Sequence, residues 1–307
     1  MIKLMSEKIS RLTALATIAI TCAYLTGCGN DDPNASDKAN KKVEAPNVNE
    51  NGMTEEGARL NKEFEERNKP LKVEFSAPGL VDSAEYLDIQ AKLSAIQVYT
   101  AKRSWDETPE EIAHSIRGSI LVESALPALY ELEEKLNASS DAFEKRDLSE
   151  KIASLIKEEA VKINGNIRVK MIADAGLKSY DFDSHIFFSE NCLFSEKLEY
   201  TKEDMRTASS YANAQKPRCY LQPSTTNFRV GVVNGTKLNL NIDEIDVAKK
   251  IEAARDGARF EIYGYVASVE REQIGGRLGD ARYVMVDPQK VNIISKSSGE
   301  VLYSKSF

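Results

Sequence analysis

Histidine is all but missing from this sequence, with only His114 and His185 in 307 residues. Chemistry that needs an imidazole must use one of these two. Cysteine is scarce too. There are four, at 22, 28, 192 and 219, with no C-x-x-C spacing, so the sequence carries neither a short redox pair nor a cysteine set for zinc. The frames H-E-x-x-H and G-x-S-x-G, which would mark a zinc peptidase or a serine hydrolase, do not occur. Positive charge is in deficit. The formal net charge is −7, which leaves no electrostatic footprint for nucleic acid and disfavours an anionic lipid surface. The apolar run at 12–24 has 13 residues, short of the roughly 20 that a membrane-spanning helix needs.

That run is informative through its flanks. Lys3, Lys8 and Arg11 against Glu7 precede it, and small residues follow it into Leu25-Thr26-Gly27-Cys28. A basic start, a short apolar core and small residues before a cut make the layout of a secretory signal peptide. Leu25-Thr26-Gly27-Cys28 resembles the lipobox of bacterial lipoprotein precursors, and the likeness covers the first 28 residues only. It implies cleavage after Gly27, a diacylglycerol on the Cys28 sulfur, and an acyl chain such as palmitate on the new amino group. Two or three chains hold stably, since each buried methylene contributes about 0.8 kcal/mol and one chain alone is marginal. In Gram-negative lipoproteins an aspartate after the cysteine signals retention at the inner membrane. Here Gly29 stands in that place, so the resemblance implies the outer membrane, with the body facing the periplasm. In a Gram-positive host it implies the outer face of the single membrane. The leader carries +2, which leaves about −9 for the rest.

Cys22 leaves with such a leader and Cys28 takes the lipid. Cys192 and Cys219 then remain in a compartment that favours disulfides, and pairing is expected, two separate buried thiols being the alternative. A bridge over that span contributes roughly 3–4 kcal/mol by loop-closure entropy. Residues 29–57 are polar, with Val43, Val48 and Met53 as the only sizeable apolar side chains, and read as a disordered tether. The chain thus divides into a leader at 1–27, a lipidated cysteine and tether at 28–57, a mainly helical region at 58–165 and a β-rich region with one helix at 166–307. Residues 58–307 are also compatible with one domain.

Local patterns give the fold class as α+β, a helical N-terminal half followed by a mostly antiparallel β-rich half. Leu60 and Phe64 mark a short helix over 58–68, and the alternation at 71–75 marks a strand. Tyr86, Ile89, Leu93, Ile96 and Thr100 predict a helix over 83–102. Thr108-Pro109-Glu110-Glu111 predicts a capping box with proline at the first helical position, continued by Ile112, Ile116 and Ile120. Pro127 kinks or breaks that helix before a helical stretch at 128–137, and a third helix runs over 140–163 with Phe143, Leu148, Ile152, Leu155 and Ile156 mostly on one side. Strands follow at 167–171 and in the aromatic stretch 180–188, then an irregular section at 189–226. Asn234-Gly235 between β-prone runs at 228–233 and 237–242 predicts a two-residue hairpin. Asp243 is placed to cap a helix to about 255, and strands are expected at 259–270, 282–286, 291–295 and 301–307.

Candidate chemistry is thin. If 181–185 is a strand, its period of two puts Asp181, Asp183 and His185 on one face, where they could hold a divalent metal or act as acid and base. A merely polar outer face looks the same. Gly275-Gly276-Arg277-Leu278-Gly279 lacks the ending of a phosphate loop and lies between strands, so it reads as a turn. His114 is accounted for as an ordinary helix residue. With no cofactor motif and no catalytic frame, the expected role is a membrane-anchored binding or scaffolding module. Its expected partners are the membrane through Cys28 and an envelope protein. A hydrolase using Asp181, Asp183 and His185, and a small-ligand carrier, are the alternatives.

Overall fold

The computed structural model describes residues 54–81, 85–117, 125–163, 165, 167–196, 218–223 and 227–307, all within the unit Val48–Phe307. The leader, Cys28 and the tether to residue 53 lie outside the described residues, as does Ile120. Helix α1, Glu55–Asn68, begins three residues before the expected boundary because the Thr54 side chain accepts the Gly57 N–H and caps it. It buries none of its side chains. Its C-terminal end is held instead. Arg67 Nη2 donates to the Gly275 carbonyl at 3.0 Å, and the Gly276 N–H donates to the Arg67 carbonyl at 2.7 Å.

Strand β1 is Leu71–Glu74. The helix expected over 83–102 is corrected. Leu87–Asp88 form strand β2, and helix α2 covers only Ser94–Lys102. Asp88 Oδ1 accepts the Gln90 N–H at 2.9 Å, and the Ile89 N–H donates to the Lys170 carbonyl at 3.1 Å. The backbone there is committed to a turn and a sheet edge before a helix can begin. Helix α3, Pro109–Ser115, has the expected capping box: Thr108 Oγ1 accepts the Glu111 N–H, and Glu111 Oε2 accepts the Thr108 N–H. Helix α4 runs Pro127–Ala138 and α5 Ala142–Val161, the latter capped by Asp141. Leu148, Ile152 and Ile156 of α5 are buried, whereas Phe143 is 82% exposed. Five residues ahead of Leu148, Phe143 sits about 140° around the helix from the buried stripe.

The second half is built on one long hairpin, β7 (Ala258–Ile274) and β8 (Arg277–Ser295). Gly275 and Gly276 form its turn, both with positive φ (59° and 85°), as a two-residue turn between right-twisted strands requires. Strand β3 (Arg168–Asp174) pairs with the far half of β7 and β1 with the half near the turn, both antiparallel. On the other edge, β5 (Phe228–Val232) runs parallel to the near half of β8, and β9 (Val301–Ser306) antiparallel to its far half. Strand β2 adds to β3 in parallel. The strands expected at 282–286 and 291–295 are therefore one strand, with register shifts in the hairpin between Tyr263 and Gly264 and between Val266 and Ser268. Extra residues of this kind let one strand serve two partners in turn.

The Asn234-Gly235 hairpin is a second correction. Asn234 has a left-handed backbone (φ 54°), residues Gly235–Leu238 form a 3₁₀ turn, and β6 (Leu240–Asn241) pairs with β4 (Ile186–Phe187). Tertiary contacts overrule the local signal. Asn234 Nδ2 and Lys237 Nζ both donate to Asp287, at 2.9 and 2.6 Å, and a Cβ at Gly235 would collide with the Phe194 carbonyl. Helix α6, Ile245–Ala254, follows. Its N-cap is Glu244 without a side-chain bond, not Asp243. The molecule is α+β, with helices mostly in the first half and strands mostly in the second. Both halves share one buried apolar cluster, in which Ile96, Ile112 and Ile152 of the helices join Val169, Phe260 and Val284 of the strands.

Candidate functional site

Cys192 and Cys219 are joined as a disulfide, with Cα atoms 5.2 Å apart and a sequence separation of 27. Cys192 lies in the 3₁₀ turn Cys192–Phe194, and the Cys219 N–H donates to the Cys192 carbonyl at 3.1 Å. The bridge fastens residue 219 to the turn on which Gly235 packs.

The segment holding Asp181, Asp183 and His185 is a turn, which corrects the expected strand. Asp181 Oδ1 accepts the backbone N–H groups of Asp183 and Ser184, at 2.9 and 3.2 Å, and the chain reverses so that the Asp181 N–H reaches the Ile186 carbonyl. Asp and Asn favour this use of a carboxylate to close a turn. The hydrogen bonds from Ser184, its backbone N–H foremost, and from Asp183 hold the Asp181 carboxyl below its usual range. His185 has a left-handed backbone (φ 57°), and its Nδ1 lies 3.1 Å from Asp243 Oδ1. Among the described residues, no three His, Cys, Asp or Glu side chains are grouped to hold a metal ion.

What the turn does build is a groove. Tyr180, at its base, is 7% exposed and donates through its hydroxyl to the Ile242 carbonyl at 2.8 Å, just ahead of α6. Its N–H donates to Glu252 Oε2 at 3.0 Å, which ties the turn to α6 itself. Phe182 stands edge-on to the Tyr180 ring at 5.1 Å, and Phe187 packs on the ring at 5.0 Å. Between the turn and α6 lies a cavity of about 470 Å³ lined by Tyr180, Phe182, Ile245, Ala248 and Lys249, among others. Phe182 is 75% exposed and Ile245 45% exposed. Phe182 stands at the rim, largely in solvent.

A second polar cluster, missed in the sequence, is fully internal. Arg271 and Arg282 face each other across β7 and β8, each nearly sealed from solvent, with the Glu107 carboxylate between them. Arg282 also donates to the carbonyls of Asp280 and Glu111, Arg271 to that of Gly279, and the Tyr99 hydroxyl to Glu107. Trp105 Nε1 donates to the Tyr99 hydroxyl. Burial raises the Tyr99 phenol well above its ordinary range, and the Glu107 charge adds to that. Every charge here has its partners, so the cluster braces the loop before α3 against the hairpin. One signal was present in the sequence: Arg271 is in phase with buried Val269, and Arg282 with buried Val284 and Val286. His114, on the exposed face of α3, lines no part of the groove. No known protein family matches the chain, and neither a curated protein nor a solved structure matches it.

Proposed function

We propose that this protein is a lipid-anchored protein of the bacterial envelope that acts by binding, with the groove beside the 180–185 turn as its contact surface. One observation carries this reading: an apolar cleft rimmed by Phe182 and Ile245, two large side chains left in solvent at 75% and 45% exposure. A cleft of this kind with a projecting aromatic suits an apolar side chain of a partner, since buried aromatic anchors dominate interface energy. The likeness of Leu25-Thr26-Gly27-Cys28 to a lipobox supports the anchor, and Gly29 in place of an aspartate favours the outer membrane in a Gram-negative host. The net charge of −7 disfavours adhesion of the body to anionic lipid.

Anchor and groove are tested separately. Cys28→Ala should move the protein from the membrane fraction to the soluble fraction, and unchanged membrane association defeats the anchor. Phe182→Asp combined with Ile245→Asp should abolish capture of a cross-linked envelope partner with the melting temperature unchanged. Undiminished capture by that variant defeats the groove.

A further inference from the structure

The two large apolar residues at the rim of the groove share a local pattern. Phe182 stands between Asp181 and Asp183 in the chain, and Ile245 between Glu244 and Asp246. Phe182 belongs to the turn that the Asp181 carboxylate closes, and Ile245 opens α6. Asp183, Glu244 and Asp246 are exposed, as is Asp243 just ahead of them. Tyr180 and Ala248, both nearly buried, line the groove beneath. An apolar floor thus lies under a rim on which each projecting apolar side chain is bracketed by carboxylates.

Nearby positive groups compensate only part of this charge. Lys249, in the wall, pairs with Asp246 at 3.3 Å, and His185 Nδ1 lies 3.1 Å from Asp243. Lys250 is exposed one turn along α6 from Asp246. Lys178 is matched by Glu190 at 3.1 Å and Arg255 by Glu252 at 3.0 Å, so neither adds net positive charge. Over 181–185 and 243–250, five carboxylates stand against two ammonium groups and one imidazole, on a chain whose net charge is −7. Among the described residues, Asp183 and Glu244 enter no ion pair. Such a rim repels an acidic ligand and attracts a basic one, within a reach of about 8 Å at physiological salt.

We propose that the groove takes a basic, apolar segment of a partner protein. One large apolar side chain of that segment sits over Tyr180 and Ala248, and lysine or arginine on either side of it meets the carboxylates around Phe182 and Ile245. The inference rests on the groove being the contact surface and adds the chemistry of what enters it. The buried apolar anchor supplies most of the affinity, and the charged flanks supply selection among anchors of the same kind.

The test is fluorescence anisotropy of the full-length protein with three labelled pentapeptides. Each has leucine at its centre, flanked on both sides by two lysines, two serines or two glutamates. The lysine peptide should bind with a dissociation constant on the order of 100 μM or tighter, the serine peptide about tenfold more weakly, and the glutamate peptide more weakly still. Serine in place of the central leucine of the lysine peptide should cost about tenfold, which separates seating in the groove from attraction by charge alone. Asp183→Asn with Glu244→Gln, side chains that cap no helix and close no turn, should weaken the lysine peptide about tenfold, leaving the serine peptide and the melting temperature unchanged. No binding of the lysine peptide, equal binding of the serine peptide, indifference to the central leucine, or undiminished binding by the folded variant overturns the inference. The groove itself stands through any of these if Phe182→Asp with Ile245→Asp still abolishes partner capture, and falls only if it does not.

Discussion

Replacing Glu107 with alanine leaves two guanidinium groups face to face inside the protein with nothing between them. Breaking a buried pair by removing one partner typically destabilises by about 3–5 kcal/mol, and Glu107→Ala should lower the urea midpoint accordingly. The same residue sets an acid limit. Burial alone would raise its carboxyl, but Arg282, the Tyr99 hydroxyl and Arg271 outweigh burial and hold it below its ordinary 4.5. A depressed folded pKa gives stability that is present above the unfolded value and lost as pH falls through the folded one. Urea midpoints of the native protein should therefore fall as pH drops below about 4.5, and Glu107→Gln should lack that component. At this scale the sequence was legible only in part. Arg271 and Arg282 sat in the inward phase of their strands, but the acid that joins them comes from 164 positions away, and no local pattern announces it. Asp181 was legible as polar and misjudged as a strand residue, because one carboxylate closing a turn overrides the period of two.

At the scale of elements, signals completed within a few residues were readable. The Thr108–Glu111 box needs no distant partner, and the structure contains it. Thr108→Ala should destabilise by about 1 kcal/mol, seen as a lower midpoint with an unchanged denaturant slope. The Gly275-Gly276 turn is equally local. Asn234-Gly235 is just as strong a turn signal, yet β5 pairs with β8 some fifty positions downstream and Asn234 turns to Asp287. The helix expected over 83–102 shortened for the same reason: Leu87–Asp88 found an edge on β3. Propensity loses where a sheet edge or a buried carboxylate offers the backbone more than a local turn does.

At the scale of the whole molecule, the α+β class and the division into helical and β-rich halves were legible from periodicity, and the disulfide from Cys192 and Cys219 being the two cysteines beyond the N-terminal stretch. Replacing Cys192 and Cys219 together with serine should remove roughly 3–4 kcal/mol by loop-closure entropy. The native protein should resist thiol labelling until reduced. The groove was not legible, since its turn and its helix are about sixty positions apart and no local pattern joins them. One feature near the chain start has a mechanical meaning. Helix α1 buries no side chain, and its end is clipped to the hairpin turn by a few hydrogen bonds, with the four-residue edge strand β1 next in line. A pull on the N-terminus therefore loads this clip and then this short ladder before it reaches the shared core. The first extension under tension should release 55–74 as slack and leave β3, β7 and β8 paired, so that α1 and β1 act as a fuse ahead of the core.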